Sequence, residues 1–397
     1  MKLSNNISKI NPSVTLEVTS KAQTMIKAGI DVISFGAGEP DFDTPDYIKS
    51  AAIEAINNGC TKYTAADGIV ELKDAIINRY KNKYNIDYTR DEVVVSCGGK
   101  HAIYNILYCM LNPGDEVIIP APYWVSYPEQ VTLAFGKSVL VDTLEEDNYK
   151  LNPKKLANAI TDKTKVLILN SPSNPTGQVY SIQELNALLD VIKDKDILVI
   201  SDDIYDDLLY DNEKFSNILN CDLANRSKIA IVNGVSKTYS MTGWRIGYSL
   251  TSTSLAKAIK KVQGHMTSNP STPAQWASVK ALNENNCAIT EMLIEFEKRR
   301  NRIFELITKI DGLVCIKPIG AFYVFPNISS YFNKSYNGLQ IKSSLDLSKY
   351  LLEEANVAVV PGEAFGSCDN IRMSFATSIE LIEKGVERIA LALSKLV

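Results

Sequence analysis

The residues with the clearest chemical potential lie in one short segment, Ser236-Lys237-Thr238-Tyr239-Ser240-Met241-Thr242-Gly243-Trp244-Arg245. A lysine amine can form a Schiff base with an aldehyde, and an arginine guanidinium is a forked donor that suits a phosphate. Lys237 and Arg245 therefore fit a cofactor that carries both groups, and pyridoxal 5'-phosphate (PLP) is such a cofactor. Because lysine–arginine pairs are common on protein surfaces, this segment alone is weak evidence.

Two loop motifs that follow predicted strands suit an anion or a planar ring. Gly98-Gly99-Lys100 opens a predicted helix, so its backbone N–H groups and the positive helix end can meet an anion. The alternative is a turn that merely needs glycine. Asn174 lies in a motif at residues 170–177, where two X-Pro steps favour extended backbone and the bond before Pro175 is a candidate for a cis peptide. A plain turn is the alternative there.

An acidic and aromatic motif, Ser201-Asp202-Asp203-Ile204-Tyr205, ends another predicted strand. A partly dry carboxylate is costly unless it meets a cation, and a protonated pyridine nitrogen is such a cation. Tyr205, three residues after Asp202, is a candidate to hydrogen-bond the phenolic oxygen of the same ring. Trp124, which follows the predicted strand at 116–119, is a candidate to stack on that ring. The alternatives are a solvated or helix-capping aspartate pair and a tryptophan in the core.

Arg372 alternates with apolar neighbours in a predicted strand at residues 371–375. A charged side chain in such a strand is expensive without a partner, and a substrate carboxylate matches the planar guanidinium fork. A structural ion pair is the alternative.

Composition is typical of a globular protein with a full core. The chain has 397 residues, 45% of them hydrophobic, and about two domains are expected. The net charge of -4 gives no reason to expect nucleic-acid binding, and no apolar run reaches the roughly 18 residues of a membrane span. Scattered cysteines, and an amino terminus that does not resemble a secretion signal, favour the cytoplasm. No metal site is predicted, and lysine is the leading candidate for acid–base chemistry.

The pattern of apolar runs predicts an α/β fold with a mostly parallel sheet covered on both faces. Predicted buried strands are 92–96, 116–119, 137–141, 165–169, 197–200 and 229–232. Ser181 is the predicted N-cap of a helix that runs to residue 192. Ligands of such sheets bind beyond the carboxyl ends of the strands, which is where several of the motifs lie.

The alternation of apolar runs with helical patterns ends at about residue 285. A long charged helix at 288–310 precedes short predicted strands, which indicates a smaller α+β domain. These strands are 314–316, 321–325, 357–360 and 371–375, and residues 329–340 are predicted as a surface loop.

Together these motifs resemble those of fold-type I PLP enzymes, specifically class I/II aminotransferases of the aspartate aminotransferase type. The resemblance runs from Gly36-Ala37-Gly38-Glu39-Pro40-Asp41-Phe42 to the Arg372 strand and includes Gly320-Ala321-Phe322-Tyr323. It implies an N-terminal segment (1–45) that packs with the small domain, a large PLP-binding domain (46–285) with a mostly parallel, seven-stranded sheet, and a small C-terminal domain (286–397).

The resemblance also implies individual roles. Lys237 would bind the cofactor covalently and then move the α-proton of the substrate, while Asp202 would keep the pyridine nitrogen protonated. Tyr205 and Asn174 would bind the phenolic oxygen. The full set of expected cofactor contacts is Gly99, Lys100, Trp124, Asn174, Asp202, Tyr205, Ser236, Lys237, Arg245 and Tyr63. The expected substrate contacts are Gly38, Lys100, Trp124, Asn174 and Arg372.

The same resemblance implies a homodimer with shared active sites. Tyr63 matches a tyrosine that reaches the phosphate from the partner subunit, and Ser268-Asn269-Pro270 lies beside the neighbouring site in relatives.

Departures from the family pattern bear on the phosphate and on the substrate side chain. Gly234 replaces a serine or threonine that touches the phosphate in many relatives, and Gly264 replaces an arginine that binds a distal carboxylate in one branch. In the branch that this chain resembles more, a lysine after the double glycine serves instead, and Lys100 with Ser13 and Thr15 fits that arrangement. An acidic substrate is expected, although Lys100 as a phosphate ligand is the alternative.

We therefore predict a cytoplasmic aminotransferase that works by a ping-pong cycle and converts aspartate and 2-oxoglutarate to oxaloacetate and glutamate. Prephenate or aromatic amino acids are alternative substrates, and a PLP lyase that cleaves a C–S or other β or γ bond is an alternative activity, because a fold does not fix a reaction. A DNA-binding regulator with an aminotransferase-like domain is disfavoured, because only a few dozen residues precede Gly38.

Overall fold

The computed structural model describes residues 3–4, 7–12, 14–284 and 287–397, without the side chains of residues 14–16 and 19. Its α-helices are α1 (Val14–Lys27), α2 (Asp46–Asn57), α3 (Val70–Tyr84), α4 (Gly99–Met110), α5 (Ser126–Leu133), α6 (Pro153–Ala159), α7 (Ile182–Ile192), α8 (Thr253–Met266), α9 (Thr272–Asn283), α10 (Cys287–Ile307), α11 (Ser344–Ala355) and α12 (Ile379–Leu393). Its strands are β1 (Ile33–Ser34), β2 (Val93–Ser96), β3 (Glu116–Ala121), β4 (Lys137–Asp142), β5 (Thr164–Asn170), β6 (Leu198–Asp202), β7 (Ile229–Gly234), β8 (Gly247–Leu250), β9 (Tyr323–Val324), β10 (Ser335–Tyr336), β11 (Leu339–Gln340), β12 (Val357–Ala358), β13 (Val360–Pro361) and β14 (Ile371–Ser374).

The large sheet has seven strands in the order β2-β8-β7-β6-β5-β3-β4. Strand β8 is antiparallel to both of its neighbours, and the other pairings are parallel. Asn170 pairs in register with Asp202, so the last residues of β5 and β6 are side by side. The predicted α/β fold with a mostly parallel sheet is confirmed.

Both faces of this sheet are buried, which explains its continuous apolar strands. Leu167 and Val199 belong to the hydrophobic cluster on one face, and Ile168 and Ile200 to the cluster on the other. Successive side chains of a strand point to opposite faces, so strands in the middle of the sheet, such as β5 and β6, are apolar at consecutive positions and contribute to both clusters.

Helix α7 shows how local sequence sets an element boundary. The Ser181 hydroxyl accepts a hydrogen bond from Glu184 N at 3.2 Å, and the Glu184 carboxylate accepts one from Ser181 N at 2.8 Å. This capping box satisfies the exposed N–H groups of the first turn. The buried face of the helix carries Leu185, Leu188 and Ile192 at helical spacing.

One prediction about the large sheet was wrong, and one of its strands was not predicted. Strand β4 was predicted as buried, but it lies at the end of the sheet order and most of its residues are partly or fully exposed. Strand β8 was not predicted, because Gly247-Tyr248-Ser249-Leu250 is neither a continuous apolar run nor a clear alternation. Its pairing with β2 and β7 decides its conformation.

A second group of elements packs around a sheet of order β13-β14-β9, with β1 paired in parallel to β12. Helix α10 begins and ends close to the predicted helix at 288–310. The predicted strand at 314–316 is only an isolated bridge between Val314 and Asn327. The predicted loop at 329–340 is instead a 3-10 turn followed by the β10–β11 hairpin.

The two groups of elements meet along the loop that follows β5. The N–H groups of Ile319 and Gly320 both donate to the Gly177 carbonyl, at 2.9 and 2.8 Å. Ala321 N donates to Leu208 O at 3.0 Å. These backbone contacts bring Tyr323 to the edge of the large sheet.

Candidate active site

One cavity of about 920 Å³ lies at the carboxyl ends of β2, β3, β5, β6 and β7. Its lining includes the predicted residues Gly38, Gly99, Lys100, Trp124, Asn174, Asp202, Tyr205, Ser236, Lys237, Arg245 and Arg372. Parallel strands bring their carboxyl ends to one edge of a sheet, which is why motifs far apart in the chain converge here. Tyr63 is not part of this lining.

Lys237 lies in the turn after β7, and its ammonium donates to Gly38 O at 2.5 Å. The nitrogen is 5.9 Å from the centroid of the Tyr205 ring and 5.7 Å from that of Phe322. Burial among these groups lowers the pKa of Lys237 to about 8, although Glu39 opposes the shift. A lysine whose pKa lies near neutral pH has a larger fraction of free amine than an ordinary surface lysine, so it is a better nucleophile and base.

Asp202, the last residue of β6, is 5% exposed and has neutral hydrogen-bond partners. One carboxylate oxygen accepts from the Tyr127 hydroxyl at 2.6 Å, and the other accepts from Ile204 N at 3.3 Å. Burial raises the pKa of Asp202 to about 6, despite the hydrogen bond from Tyr127. Such a carboxylate is stabilised by any cation that enters the cavity.

Tyr127 is a site residue that sequence reasoning missed. It follows Trp124 by three positions in the first turn of α5, and its ring is 5.3 Å from the Trp124 ring in an edge-on arrangement. Burial, together with the Asp202 charge, raises the pKa of the Tyr127 phenol, so it remains a donor. Its partner is 75 positions away in the chain, and no local sequence pattern indicates the bond.

Arg372 in β14 is 2% exposed, and its hydrogen bonds also go to neutral groups. One guanidinium nitrogen donates to Asn174 Oδ1 at 3.1 Å and the other to Gly36 O at 3.0 Å, while Nε has no partner among the described residues. The guanidinium carbon lies 4.4 Å from the centroid of the Tyr323 ring. The alternative of a structural ion pair is not realised within the described chain, and the charge is available for an anion.

Tyr205 and Tyr323 join the two sides of the cavity. Their hydroxyl oxygens are 3.1 Å apart, and both side chains are buried. Sequence reasoning quoted Tyr323 only within a motif and gave it no function. The Asn174-Pro175 bond is cis, as was suggested from the sequence.

Arg245, Ser236 and the first turn of α4 form one corner of the cavity. Arg245 Nη1 donates to Thr242 O at 2.9 Å, and a Cβ on Gly98 would lie 2.4 Å from Nη2 of the same guanidinium. Gly98 has a φ of +90°, so a side chain there is disfavoured on two grounds. A Cβ on Gly234 would lie 2.9 Å from Ile246 O, which explains why no serine or threonine fits there without a backbone shift.

Lys100 is exposed at the cavity, with its ammonium 5.0 Å from the centroid of the Trp124 ring. Desolvation and the nearby charge of Arg245 lower the pKa of Lys100. An ammonium that lies against an aromatic face and close to a second cation is well suited to a dianionic ligand, because the ligand can neutralise both positive charges.

Comparisons with known proteins match this arrangement over nearly the whole chain. The family model described as "Aminotransferase class I and II" matches residues 30–389. The chain is 46% identical to an aspartate aminotransferase of Bacillus subtilis and 48% identical to a probable aspartate/prephenate aminotransferase of Rickettsia conorii, with at least 97% of each chain covered.

The chain belongs to this family. The crystal structure of an aspartate aminotransferase from Rhizobium meliloti superposes with a TM-score of 0.97 at 42% identity and full coverage of both chains. That of a Thermus thermophilus aspartate aminotransferase with maleate gives 0.92 at 38% identity, over 99% of this chain and 100% of that one. The expected fold and the expected transfer of an amino group between an amino acid and a 2-oxo acid are confirmed.

Several predicted residues of this aminotransferase lie away from the cavity or outside the description. Tyr63 is 90% exposed. Gly264 lies in α8, and the nearest atom to a Cβ there is Ala66 Cβ at 3.9 Å. Ser13 and the Thr15 side chain lie outside the described residues.

The entrance of the cavity contains a contact that sequence reasoning did not anticipate. The backbone N–H and side-chain amide of Asn11 donate to the two carboxylate oxygens of Glu129, at 3.1 and 3.2 Å. Asn11, Pro12 and Glu129 all line the cavity. No helix in the described part of the aminotransferase is long and apolar enough to cross a membrane.

Proposed function

We propose that this aminotransferase uses PLP to transfer the amino group of aspartate to 2-oxoglutarate, giving oxaloacetate and glutamate in a ping-pong cycle. The observation that carries the proposal is the state of three charged groups in one cavity. Lys237 has a depressed pKa. Among the described residues, Asp202 accepts no hydrogen bond from a cation and Arg372 has no anionic partner. PLP with an amino acid supplies the missing partner of each.

The chemistry of the cavity lining fits PLP. When bound, PLP supplies an aldehyde for a lysine amine and an electron-withdrawing ring. Asp202 would hold the ring nitrogen, Tyr205 and Asn174 the phenolic oxygen, and Trp124 one ring face. Gly99, Lys100, Ser236 and Arg245 would hold the phosphate. The neutral partners of Asp202 support this assignment, because a buried carboxylate gains most from a cationic ring nitrogen.

The residues of the chain would divide the remaining work. Arg372, with the backbone of Gly38 and the Asn174 amide, would bind the α-carboxylate of the substrate. The Lys237 amine would then take the proton from the substrate α-carbon and deliver it to the cofactor carbon that carried the aldehyde, on the other side of the amino nitrogen. Its pKa of about 8 suits both directions of transfer near neutral pH.

A dicarboxylic substrate is supported by Lys100 and by two similar proteins. The solved structure of the Thermus protein is described as one with maleate, a dicarboxylate. The Rickettsia relative is named for aspartate and prephenate, so prephenate is our second candidate acceptor. If Lys100 binds the distal carboxylate, Lys100→Ala should lower kcat/KM for dicarboxylic donors alone, in a panel of amino donors with 2-oxoglutarate. A uniform loss would assign Lys100 to the phosphate.

The same proposal includes a cytoplasmic homodimer with shared sites, in which Tyr63 and the 268–270 turn face the partner's cavity. The 90% exposure of Tyr63 supports a partner-facing position. The domain division at 1–45, 46–285 and 286–397 is supported by the β1–β12 pairing and by the packing of Ala22 with Leu352. Free thiols such as Cys60 and Cys109 support a reducing compartment.

Lys237→Ala tests the proposal. We expect the visible absorption band of lysine-bound cofactor to disappear and transamination to fall by at least about a thousandfold, because nucleophile and base are removed together. Full transamination by this variant would overturn the mechanism. Release of pyruvate from cysteine-type substrates without an added oxo acid would instead favour the lyase.

A further inference from the structure

The loop at residues 62–69, here called the Tyr63 loop, is held rigidly although its tyrosine projects into solvent. Tyr63 is 90% exposed and does not line the cavity of its own chain. Val95 N donates to Asp67 O at 3.0 Å, and Asp67 pairs with Lys73 and Lys260. A fixed backbone under an exposed aromatic side chain indicates that the position of that side chain matters to something outside the subunit.

Gln275 in α9 connects the Tyr63 loop to the turn at 268–271. The side chain is fully buried, and its Oε1 accepts from Ile69 N at 2.8 Å. Its Nε2 donates to Pro270 O at 2.9 Å and lies 3.4 Å from Thr64 Oγ1. One amide thus satisfies groups at both ends of the connection.

Thr272 strengthens the same connection from the start of α9. Its hydroxyl donates to Lys62 O at 2.8 Å, directly before Tyr63. Asn269 shares the Pro270 carbonyl with Gln275, through a bond of 2.7 Å. Tyr63 and Asn269 therefore lie on one connected surface segment, formed by the Tyr63 loop and the 268–271 turn and held by α9. We call this segment the rim.

Gln263 in α8 connects the Tyr63 loop in the opposite direction. It donates to Ala66 O and Val95 O and accepts from Ser96 Oγ at 2.6 Å, next to the phosphate corner of its own chain. The two glutamines thus hold the loop at different residues, Gln263 at Ala66 and Gln275 at Thr64 and Ile69. A change at Gln275 leaves the bonds of Gln263 in place.

We propose that Gln275 is a positioning residue that acts in trans: by fixing Tyr63 and Asn269 it shapes the PLP site of the neighbouring subunit rather than its own. This inference rests on the homodimer of the proposed function. Loss of the amide leaves the buried Ile69 N–H and Pro270 carbonyl without that partner, so the rim relaxes. Tyr63 has little packing of its own to hold it in place.

Hybrid dimers with two affinity tags test the proposal, since each hybrid has one lysine-bearing site. In the first, Lys237→Ala is in one subunit and Gln275→Met in the other, so the working site receives an intact rim. In the second, both substitutions are in one subunit, so the working wild-type site receives the altered rim. The readouts are the PLP concentration that half-forms the lysine-bound absorption band, and kcat/KM for aspartate.

We expect wild-type values per working site in the first hybrid and, in the second, about tenfold weaker PLP binding with lower kcat/KM. The reverse pattern, or equal defects in both hybrids, would overturn a trans role. Thr272→Val should give a smaller effect of the same pattern and serves if Gln275→Met fails to fold. Ser278→Ala, which removes a fully buried hydroxyl bonded only to Ala274 O in the same helix, should change neither hybrid. Wild-type protein that sediments as a monomer or fails to bind PLP would instead refute the proposed function.

Discussion

The turn that follows β6 has carboxylates on two sides, and the two sides are neutralised differently. Away from the cavity, Arg79 donates to Asp206 at 2.8 Å and to Asp207 at 2.7 Å, and Lys83 contacts both. Toward the cavity, the hydrogen-bond donors to Asp202 in the described part of the chain are a phenol and a backbone N–H. Burial alone would raise the pKa of Asp207, but Arg79 and Lys83 hold it below its ordinary value. At Asp202, by contrast, burial raises the pKa to about 6.

Two buried arginines repeat the contrast. Arg300 and Arg372 are 0% and 2% exposed. Arg300 makes a two-pronged contact with Asp211 at 2.8 and 2.9 Å and thereby lowers the pKa of that carboxyl to about 2. Within the residues that the structure describes, the guanidinium of Arg372 contacts carbonyl oxygens and aromatic faces and no carboxylate. Burial is therefore no guide to function here. The guide is whether the chain supplies the counter-charge itself.

Exchanging each arginine for methionine gives the largest expected difference. Arg372→Met should lower kcat/KM for amino donors by about a hundredfold to a thousandfold and leave the midpoint of thermal unfolding nearly unchanged, because no ion pair is lost. Arg300→Met should lower that midpoint and change kcat/KM of the folded enzyme by less than about threefold. Steady-state kinetics and calorimetry on both variants measure these effects. A lower unfolding midpoint for Arg372→Met than for Arg300→Met would contradict the proposed difference between the two arginines.

The pH dependence of the cofactor-free protein should distinguish Asp202 from Asp207. The folded pKa of Asp202, about 6, lies above the ordinary 3.8, so its favourable contribution is present below about pH 4 and is lost as pH rises through 6. Asp202→Asn should therefore be more stable than wild type by up to about 3 kcal/mol above pH 6, with no gain near pH 4. Urea unfolding at both pH values measures this.

Asp207→Asn is the matched variant on the other side of the turn and should behave oppositely. Since the folded-state pKa of the Asp207 carboxyl is lowered, its contribution to the free energy of unfolding is present above the ordinary pKa of 3.8 and is lost in acid. The variant should be less stable than wild type at pH 7. A stabilising Asp207→Asn, or a destabilising Asp202→Asn at that pH, would refute the electrostatic distinction.

The smallest effect is expected for Tyr127→Phe. Tyr127 is the neutral donor to Asp202, whereas the carboxylates on the other side of the turn have the cationic donor Arg79. Loss of its bond to Asp202 should raise the pKa of that carboxyl further and weaken PLP binding by up to about tenfold. Equilibrium titration with PLP measures the change, and Tyr104→Phe on α4 is the control. Unaltered affinity at pH 7 would mean that the phenol does not support the carboxylate.

Much of the site was predictable because it depends on one geometric fact, the convergence of parallel strand ends. Polar motifs directly after apolar runs, such as those of Asp202 and Asn174, were placed at this edge by that rule, and their functions were predicted from the resemblance. Tyr127 was not, because its partner is across the sheet and no local pattern encodes the bond. The Asn11–Glu129 contact spans 118 positions and is equally invisible in the sequence.

The errors in the fold have a similar cause. Strand β4 is as apolar as its neighbours in the region of Val139 and Val141, but sequence does not reveal that it has a partner on one side only. Strand β8 has weak local signals and is formed by its pairing with β2 and β7. The hairpin at 335–340 closes around Asn337 and Gly338, both with positive φ, and that turn signal was overlooked.

The path of residues 35–38 has a mechanical consequence. The Gly36 carbonyl accepts a hydrogen bond from Arg372, and the Gly38 carbonyl accepts one from Lys237. Two residues of fully extended chain span about 7 Å at most. While both contacts are made, this short tether limits how far the guanidinium can swing from the amine, so any hinge motion of β14 must either carry the lysine's acceptor with it or release one end.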